Sequence, residues 1–180
     1  MKIVIVDCVR RIWLPQLLAT LLLFQFMSPL WAEEIADAAK ARITGLYTLQ
    51  EWNENGEIFK SPQVEGRLVI LNGIFMTILD NRMKPSSRAT TVLSGKYLLE
   101  TGTFSYGYDD VSVFTESADA TGVSHKPLWE GMRTFTTSIE SDAVRLREDN
   151  GSREFVFTDE GLDYFVNGKM LRKWHRTADR

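Results

Sequence analysis

The sequence predicts an all-β protein: an antiparallel up-and-down barrel of about eight to ten strands, preceded by a short helix. Two patterns support this prediction. Asn-Gly occurs four times, each time between runs in which apolar and polar residues alternate. The segments around these hairpins also have strand composition, which gives about ten short strands in consecutive order. A meander of that length closes into a barrel or stacks as two sheets, because a flat open sheet leaves unpaired edges.

The Asn-Gly pairs predict where four hairpins turn. A type I′ turn needs a positive φ at both central residues, and Asn-Gly is a pair that adopts it readily. The predicted turns lie at Asn55-Gly56, Asn72-Gly73, Asn150-Gly151 and Asn167-Gly168. Each turn fixes a register in which apolar side chains face each other and opposite charges meet. The predicted facing pairs are Trp52 with Phe59, Glu51 with Lys60, Ile70 with Phe75, Val69 with Met76, Leu146 with Phe155, Val144 with Phe157, Arg147 with Glu154, Phe165 with Met170, Tyr164 with Leu171 and Asp163 with Arg172.

The remaining elements are predicted from composition. Glu33 to Arg42 is rich in helix formers, with acids first and bases last, which favours a short N-terminal helix. Thr91 to Tyr108 predicts one long strand, with Phe104, Tyr106 and Tyr108 on one face. A turn at Asp109-Asp110 and a returning strand at Val111 to Thr115 follow.

Three further segments complete the prediction. Gly131 to Ile139 has the composition of another strand. Asn81 to Thr90 predicts a basic loop. Glu116 to Glu130 predicts a long irregular loop, of a length that is usually a lid or simply mobile.

Residues 1–32 have the pattern of a secretory signal peptide. Lys2, Arg10 and Arg11 precede a mostly apolar stretch. Pro29 then breaks the helix of that stretch, and the predicted cleavage point follows Ala32. The predicted domain is therefore 33–180, in a periplasmic or secreted protein. Two alternatives stay open: an uncleaved membrane anchor, and export by the twin-arginine route through the Arg10-Arg11 pair.

Removal of residues 1–32 changes the charge and the cysteine content. Three basic residues, one acidic residue and Cys8 leave, so the net charge changes from −3 to −5 and no disulfide is expected. An acidic domain argues against nucleic acid as a partner. The membrane is expected to be contacted through the signal peptide alone.

Five short segments resemble a bacterial family of exported lipocalin-like, calycin-type domains. In chain order they are Ile43 to Leu49, Gly66 to Val69, Ser94 to Tyr97, Pro127 to Gly131 and Leu171 to Trp174. The first resembles the Gly-x-Trp opening strand of lipocalin-like barrels, with Tyr47 in place of the tryptophan. The last resembles the closing strand, where a basic residue packs across the opening aromatic. The resemblance implies a calycin-type barrel with an internal cavity for a small, mainly apolar molecule.

A barrel of this size leaves room inside for side chains or for one small ligand, so the predicted site lies in the barrel or at its mouth. A half-buried arginine there could hold a carboxylate by a bidentate pair. The candidate ligand-binding residues are Tyr47, Arg67, Tyr97, Trp129 and Arg133.

Four of the five candidates also have a structural interpretation. Tyr47 and Arg172 could form a barrel-closing pair. Arg67 and Arg133 could lie at surface strand positions, and Trp129 could anchor the long loop.

No catalytic group, cofactor or metal is predicted. Ser124, His125 and Asp119 lack the setting of a catalytic triad, which is recognised by geometry and not by nearness in sequence. His125 and His175 are far apart in a domain without cysteine, which is a poor pattern for zinc. The sequence also contains no phosphate loop or dinucleotide fingerprint.

Three functions stay open at this point. The first is an exported protein that binds a small apolar or amphipathic molecule inside the barrel. The second is an envelope interaction module whose barrel is filled by its own side chains. The third is an isomerase or cyclase on the same scaffold, which would need an ionisable group in the cavity with a shifted pKa.

Overall fold

A computed structural model describes residues 36–126 and 131–177, so the predicted signal peptide and Trp129 lie outside the described residues. Helix α1 spans residues 36–43. The strands described are β1 Gly45–Glu54, β2 Glu57–Phe59, β3 Val64–Leu71, β4 Ile74–Asn81, β5 Ser87–Glu100, β6 Thr103–Ser117, β7 Thr121–His125, β8 Arg133–Glu140, β9 Ala143–Glu148, β10 Arg153–Phe157, β11 Gly161–Val166 and β12 Lys169–Arg176.

Ten of these strands close into an antiparallel barrel, which confirms the predicted fold class. The order is β1-β3-β4-β5-β6-β8-β9-β10-β11-β12, and β12 pairs back onto β1. Strands β2 and β7 are short additions that pair with β1 and β6. Trp52 of β1 faces both Phe59 of β2 and Arg172 of β12. Strand β2 must therefore lie on the side of β1 away from β12, the side that β3 also occupies.

Three of the four Asn-Gly turns have the predicted conformation. Asn55, Asn72 and Asn167 have φ values of 54°, 51° and 50°, and the glycine after each also has a positive φ. At the fourth, Gly151 has a φ of 70° but Asn150 does not share the positive φ, so the prediction of a type I′ turn there is wrong. The Gly151 N–H donates to the Glu148 carbonyl at 2.7 Å, which closes a four-residue β-turn that begins at Glu148, one residue earlier than predicted.

The predicted registers hold for eight of the ten pairs, and the two exceptions share one cause. The Glu51 and Lys60 side chains form their predicted ion pair, at 2.8 Å, and seven further pairs face each other as predicted. In the last hairpin, Tyr164 faces Arg172 and not Leu171, and Asp163 faces Lys173 and not Arg172. A β-bulge causes this shift, because one strand carries an extra residue opposite Tyr164.

The predicted turn at Asp109-Asp110 is wrong. Strand β6 runs through both aspartates, and the chain reverses instead at Gly102, which has a φ of 77°. A register shift after Ser94 marks a β-bulge where β5 faces Asp109 and Asp110. At this bulge a Cβ on Gly95 would lie 2.0 Å from the Gly107 carbonyl oxygen, so the close backbone approach requires glycine.

Both predicted loops are shorter than expected. Ser87 to Thr90 belong to β5, so only residues 82–86 connect β4 to β5. The segment predicted as a long irregular loop contains β7, which pairs with the second half of β6. The alternation of apolar residues is weak in both segments. They form strands because they pair with a neighbouring strand. The predicted strand at Gly131 to Ile139 corresponds to β8.

Helix α1 lies at one end of the barrel and agrees with the predicted helix over the described residues. Ala39 is 1% exposed and Ile43 is fully buried, and both belong to the cluster of buried side chains that forms the core of the barrel. An isolated helix of this length is unstable in water, so packing against the barrel holds it. The barrel therefore has a helix-covered end and an opposite end. The opposite end carries the Asn55-Gly56, Asn150-Gly151 and Asn167-Gly168 turns.

Candidate functional site

A cavity of about 130 Å³ lies inside the barrel. Eight of the ten barrel strands contribute side chains to its wall, so the barrel as a whole shapes it. The lining side chains are Leu68, Ile70, Phe75, Thr77, Leu79, Leu93, Phe104, Tyr106, Tyr108, Leu146, Phe155, Phe157, Leu162, Tyr164, Arg172 and Trp174. An apolar wall with a few placed polar groups is the usual composition of a small-molecule site.

Half of the lining side chains are aromatic, and their rings contact one another. The Phe75 ring lies 5.3 Å from the rings of both Tyr106 and Tyr108. On the opposite wall, Phe155 and Tyr164 stack with their centroids 4.7 Å apart. Phe155 also meets Tyr106 edge to face at 6.3 Å, which connects the two walls. Such a network fixes each ring in place, and it presents both faces and edges to a bound molecule.

Two tyrosine hydroxyls in the cavity keep their protons at neutral pH. Burial raises the pKa of both Tyr106 and Tyr108 above the ordinary value for tyrosine, and their side chains share a hydrogen bond. Protonated phenols donate hydrogen bonds but do not act as general bases. Among the described residues, the cavity wall also contains no histidine, aspartate or glutamate. This set of side chains suits binding better than proton abstraction.

Of the described residues that line the cavity, Arg172 is the one with a cationic side chain. The bulge in the last hairpin places it opposite Tyr164, so both side chains face the interior. Its guanidinium lies over the Trp52 ring, 4.1 Å from the ring centroid. Arg172 is partly buried, and desolvation of its guanidinium lowers the pKa of the group.

No carboxylate of the described residues lies within ion-pair distance of Arg172. Glu54 acts on its charge from farther away, and the Glu54 carboxylate accepts a hydrogen bond from Trp52 Nε1 at 3.1 Å. The Arg172 Nε atom is buried and has no hydrogen-bond partner among the described residues. Arg172 therefore keeps hydrogen-bond donors available inside the barrel.

The barrel-closing arginine is Arg176, not Arg172. Arg176 faces Tyr47 across the β1–β12 seam, and its Nη2 donates to the Tyr47 hydroxyl at 3.1 Å. The same atom donates to the Thr44 carbonyl at 2.7 Å, just after α1. Tyr47 in turn donates to the Ile43 carbonyl at 2.7 Å. Arg176 and Tyr47 thus satisfy carbonyls at the C-terminal end of α1 and fix the helix on the barrel.

The structure places two predicted candidates in the core and one on the outer surface. Tyr47 is fully buried at the helix-covered end. Tyr97 is 5% exposed and stacks on Phe104 at 5.6 Å, and its hydroxyl has no partner among the described residues. Arg67 is exposed on the outer face of β3 and donates to the Gly66 carbonyl at 3.0 Å. None of these three lines the cavity.

Of the predicted candidates, Arg133 is the one whose charge acts on side chains of the cavity wall. Trp129 lies outside the described residues. Arg133 faces Tyr106 across the β6–β8 pairing. Its positive charge acts on the Tyr106 and Tyr108 phenols, although its side chain is not part of the cavity wall.

The prediction missed the charged and phenolic groups of the cavity wall, which are Tyr106, Tyr108, Tyr164 and Arg172. The alternation of Phe104, Tyr106 and Tyr108 on one face was the available signal, and all three do face inward. Arg172 had no such signal, because the bulge that turns it inward leaves no mark in composition.

A second cluster of polar side chains lies outside the cavity, on β6 and β7. His125 Nδ1 lies 3.1 Å from Ser112 Oγ and 3.5 Å from Asp110 Oδ1. Both partners approach the same ring nitrogen, so the imidazole cannot relay a proton from serine to aspartate. Ser112 is also 6% exposed. The cluster is an outer-surface hydrogen-bond network that holds β7 to β6.

Comparison with protein-family models, with curated proteins and with solved structures found no match to the chain. Within residues 36–126 and 131–177, no helix is long and apolar enough to span a bilayer. In the same part of the chain, no group of three or more histidine, cysteine, aspartate or glutamate side chains is placed to hold a metal ion.

Proposed function

We propose that this chain is an exported binding protein that holds one small apolar or amphipathic molecule inside its barrel. The observation that carries the proposal is the interior cavity of about 130 Å³ with its largely aromatic wall. A barrel filled by its own side chains would leave no such space. Export rests on the signal peptide that residues 1–32 predict.

The volume limits the size of the molecule. An engineered apolar cavity of about 150 Å³ in another protein stays dry and binds benzene. A cavity of about 130 Å³ therefore suits a single ring or a short branched chain, and not a long acyl chain. Binding in so small an apolar site is expected to be driven by contact with the wall.

A cavity-filling variant tests the proposal. Leu93→Phe adds a ring to the cavity wall, and Leu98→Phe adds the same ring on the outer face of β5, where Leu98 is 55% exposed. We expect toluene to bind the wild type and Leu98→Phe, and to bind Leu93→Phe at least about tenfold more weakly, because the added ring occupies its place. Ligand-observed NMR measures binding, and circular dichroism checks that both variants fold.

Native mass spectrometry of the exported protein gives an independent test. A mass that leaves on denaturation would identify a natural ligand and its size. A bare mass, together with no binding of toluene, would contradict the proposal and favour the interaction module. If the ligand is recovered chemically changed, the protein is an enzyme on the same scaffold.

A further inference from the structure

We propose that the cavity selects a small aromatic carboxylate, with the Arg172 guanidinium holding the carboxylate and the aromatic wall holding the ring. This inference rests on the proposed function and names the chemical class of its ligand. Three observations carry it: the donors that Arg172 leaves available, the polar groups around it, and the shape and composition of the cavity.

The first observation is a partly buried cation, with a buried Nε atom, that has no matching anion among the described residues. Removing a guanidinium from water is costly unless a charge partner and hydrogen bonds replace the water. The Trp52 ring gives Arg172 a cation–π contact at 4.1 Å, but it accepts none of the N–H donors along the guanidinium plane. A carboxylate is the group that accepts two of these N–H donors at once.

The second observation is that the polar groups around Arg172 favour an anion. Tyr164 faces Arg172 across the last hairpin, and both Tyr108 and Tyr164 lie close enough to interact with its charge. Protonated phenols can donate to a second carboxylate oxygen. Arg133 adds positive charge on the Tyr106 and Tyr108 side. Because no carboxylate of the described residues lines the cavity, none of these lining side chains repels an anion or competes for Arg172.

The third observation is the position of Arg172 relative to the rings. Arg172 and Trp52 lie toward the end of the barrel that α1 does not cover, since Arg172 follows the Asn167-Gly168 turn by four residues. Trp174, Phe157 and Leu162 continue the cavity wall toward the helix-covered end. A ligand with its carboxylate on Arg172 would place its ring in this apolar part, where edge-to-face contacts with the wall are available.

The test compares benzoate with benzyl alcohol, which has the same ring and no charge. Isothermal titration measures both ligands against the wild type, Arg172→Met and Arg67→Met. Arg67→Met is the matched control, because it removes the same charge from the outer face of the barrel. Because Arg172 has no ion-pair partner among the described residues, removing its charge relieves a desolvation cost and leaves no carboxylate unpaired, so Arg172→Met is expected to fold.

We expect benzoate to bind the wild type and Arg67→Met equally, and to bind Arg172→Met about tenfold or more weakly. Benzyl alcohol should bind all three proteins alike. A second readout needs no variant: the side-chain Nε–H resonance of Arg172 should shift in the NMR spectrum with benzoate and stay in place with benzyl alcohol.

The outcomes separate this inference from the proposed function. If benzyl alcohol binds but benzoate binds no better, or binds Arg172→Met as tightly as the wild type, the carboxylate assignment is overturned and the ligand-binding proposal stands. If neither ring compound binds the wild type, both are overturned. If the Arg172 resonance does not respond to bound benzoate, the guanidinium is not the anion contact.

Discussion

Asp80 is a nearly buried carboxylate that two arginines compensate. It is 8% exposed, and it accepts from Arg82 Nη2 at 2.7 Å and from Arg88 Nε at 2.8 Å. Thr90 Oγ1 donates to it as well, at 3.2 Å. Burial alone would raise the pKa of Asp80, but the hydrogen bonds and charges of Arg88 and Arg82 outweigh burial and hold the pKa below its usual range.

We predict that Asp80→Asn lowers the free energy of unfolding by about 1–2 kcal/mol at neutral pH, since both arginines are partly exposed and their attraction is screened. A carboxylate whose pKa is lower in the folded state than in the unfolded state stabilises the protein at any pH above its unfolded-state pKa, which is about 3.9 for aspartate. This stabilisation is lost as the pH falls through the folded-state pKa. The difference in the free energy of unfolding between the wild type and Asp80→Asn should therefore become smaller below about pH 4.

Urea denaturation at several pH values measures this gap. Asp119→Asn is the control, because Asp119 is exposed and its carboxylate has no ion-pair partner among the described residues, and its effect should stay within about 0.5 kcal/mol. A gap for Asp80→Asn that stays constant down to acid pH would show that charge is not its source.

At the scale of elements, the β5–β6 hairpin depends on one close backbone approach. A Cβ at Gly95 would lie 2.0 Å from the Gly107 carbonyl oxygen and 2.8 Å from the Phe75 ring. The first contact is with backbone, which cannot rotate away. The bulge at this point also directs Tyr106 and Tyr108 into the cavity, so strain here would reach the ligand site.

We predict that Gly95→Ala costs about 2 kcal/mol or more, because the strands must separate to admit the methyl group. Gly122→Ala is the matched control on β7, where the added Cβ would meet only the Thr115 Oγ1 atom, at 3.4 Å. Thermal unfolding compares the two variants. Equal melting temperatures would mean that the bulge relaxes without cost.

At the scale of the whole molecule, three buried tyrosines connect stability to alkaline pH. Burial raises the pKa of Tyr47, Tyr106 and Tyr108 above the ordinary value near 10. Because the pKa of these phenols is higher in the folded state than in the unfolded state, they contribute their full stability below the unfolded-state pKa. This stability is lost as the pH rises through the folded-state pKa.

We predict that the protein loses stability above about pH 10, and that these three phenols ionise only when it unfolds. Tyrosinate absorbance should then rise in a step that coincides with the loss of the near-ultraviolet circular dichroism signal. Complete ionisation of all five tyrosines while that signal persists would contradict the buried positions of the three.

The sequence was sufficient for the fold class because hairpins are local. The turns at Asn55, Asn72 and Asn167 and most facing pairs depend on residues only a few positions apart. The bulges at Gly95 and in the last hairpin were not predictable, because an inserted residue changes no composition and no turn signal. The site depended on the second bulge, so Arg172 was assigned to the barrel-closing role that Arg176 performs.

The seam between β1 and β12 joins the first barrel strand to the last. Its pairs, such as Tyr47 with Arg176, bring together residues that nearly the whole barrel sequence separates. During synthesis, β1 therefore emerges long before its partner, and one of its edges stays unpaired until the other nine strands of the barrel have been made. Newly made chains should be vulnerable to edge-to-edge association until Arg176 is synthesised, and truncation within β12 should produce aggregates rather than a smaller barrel.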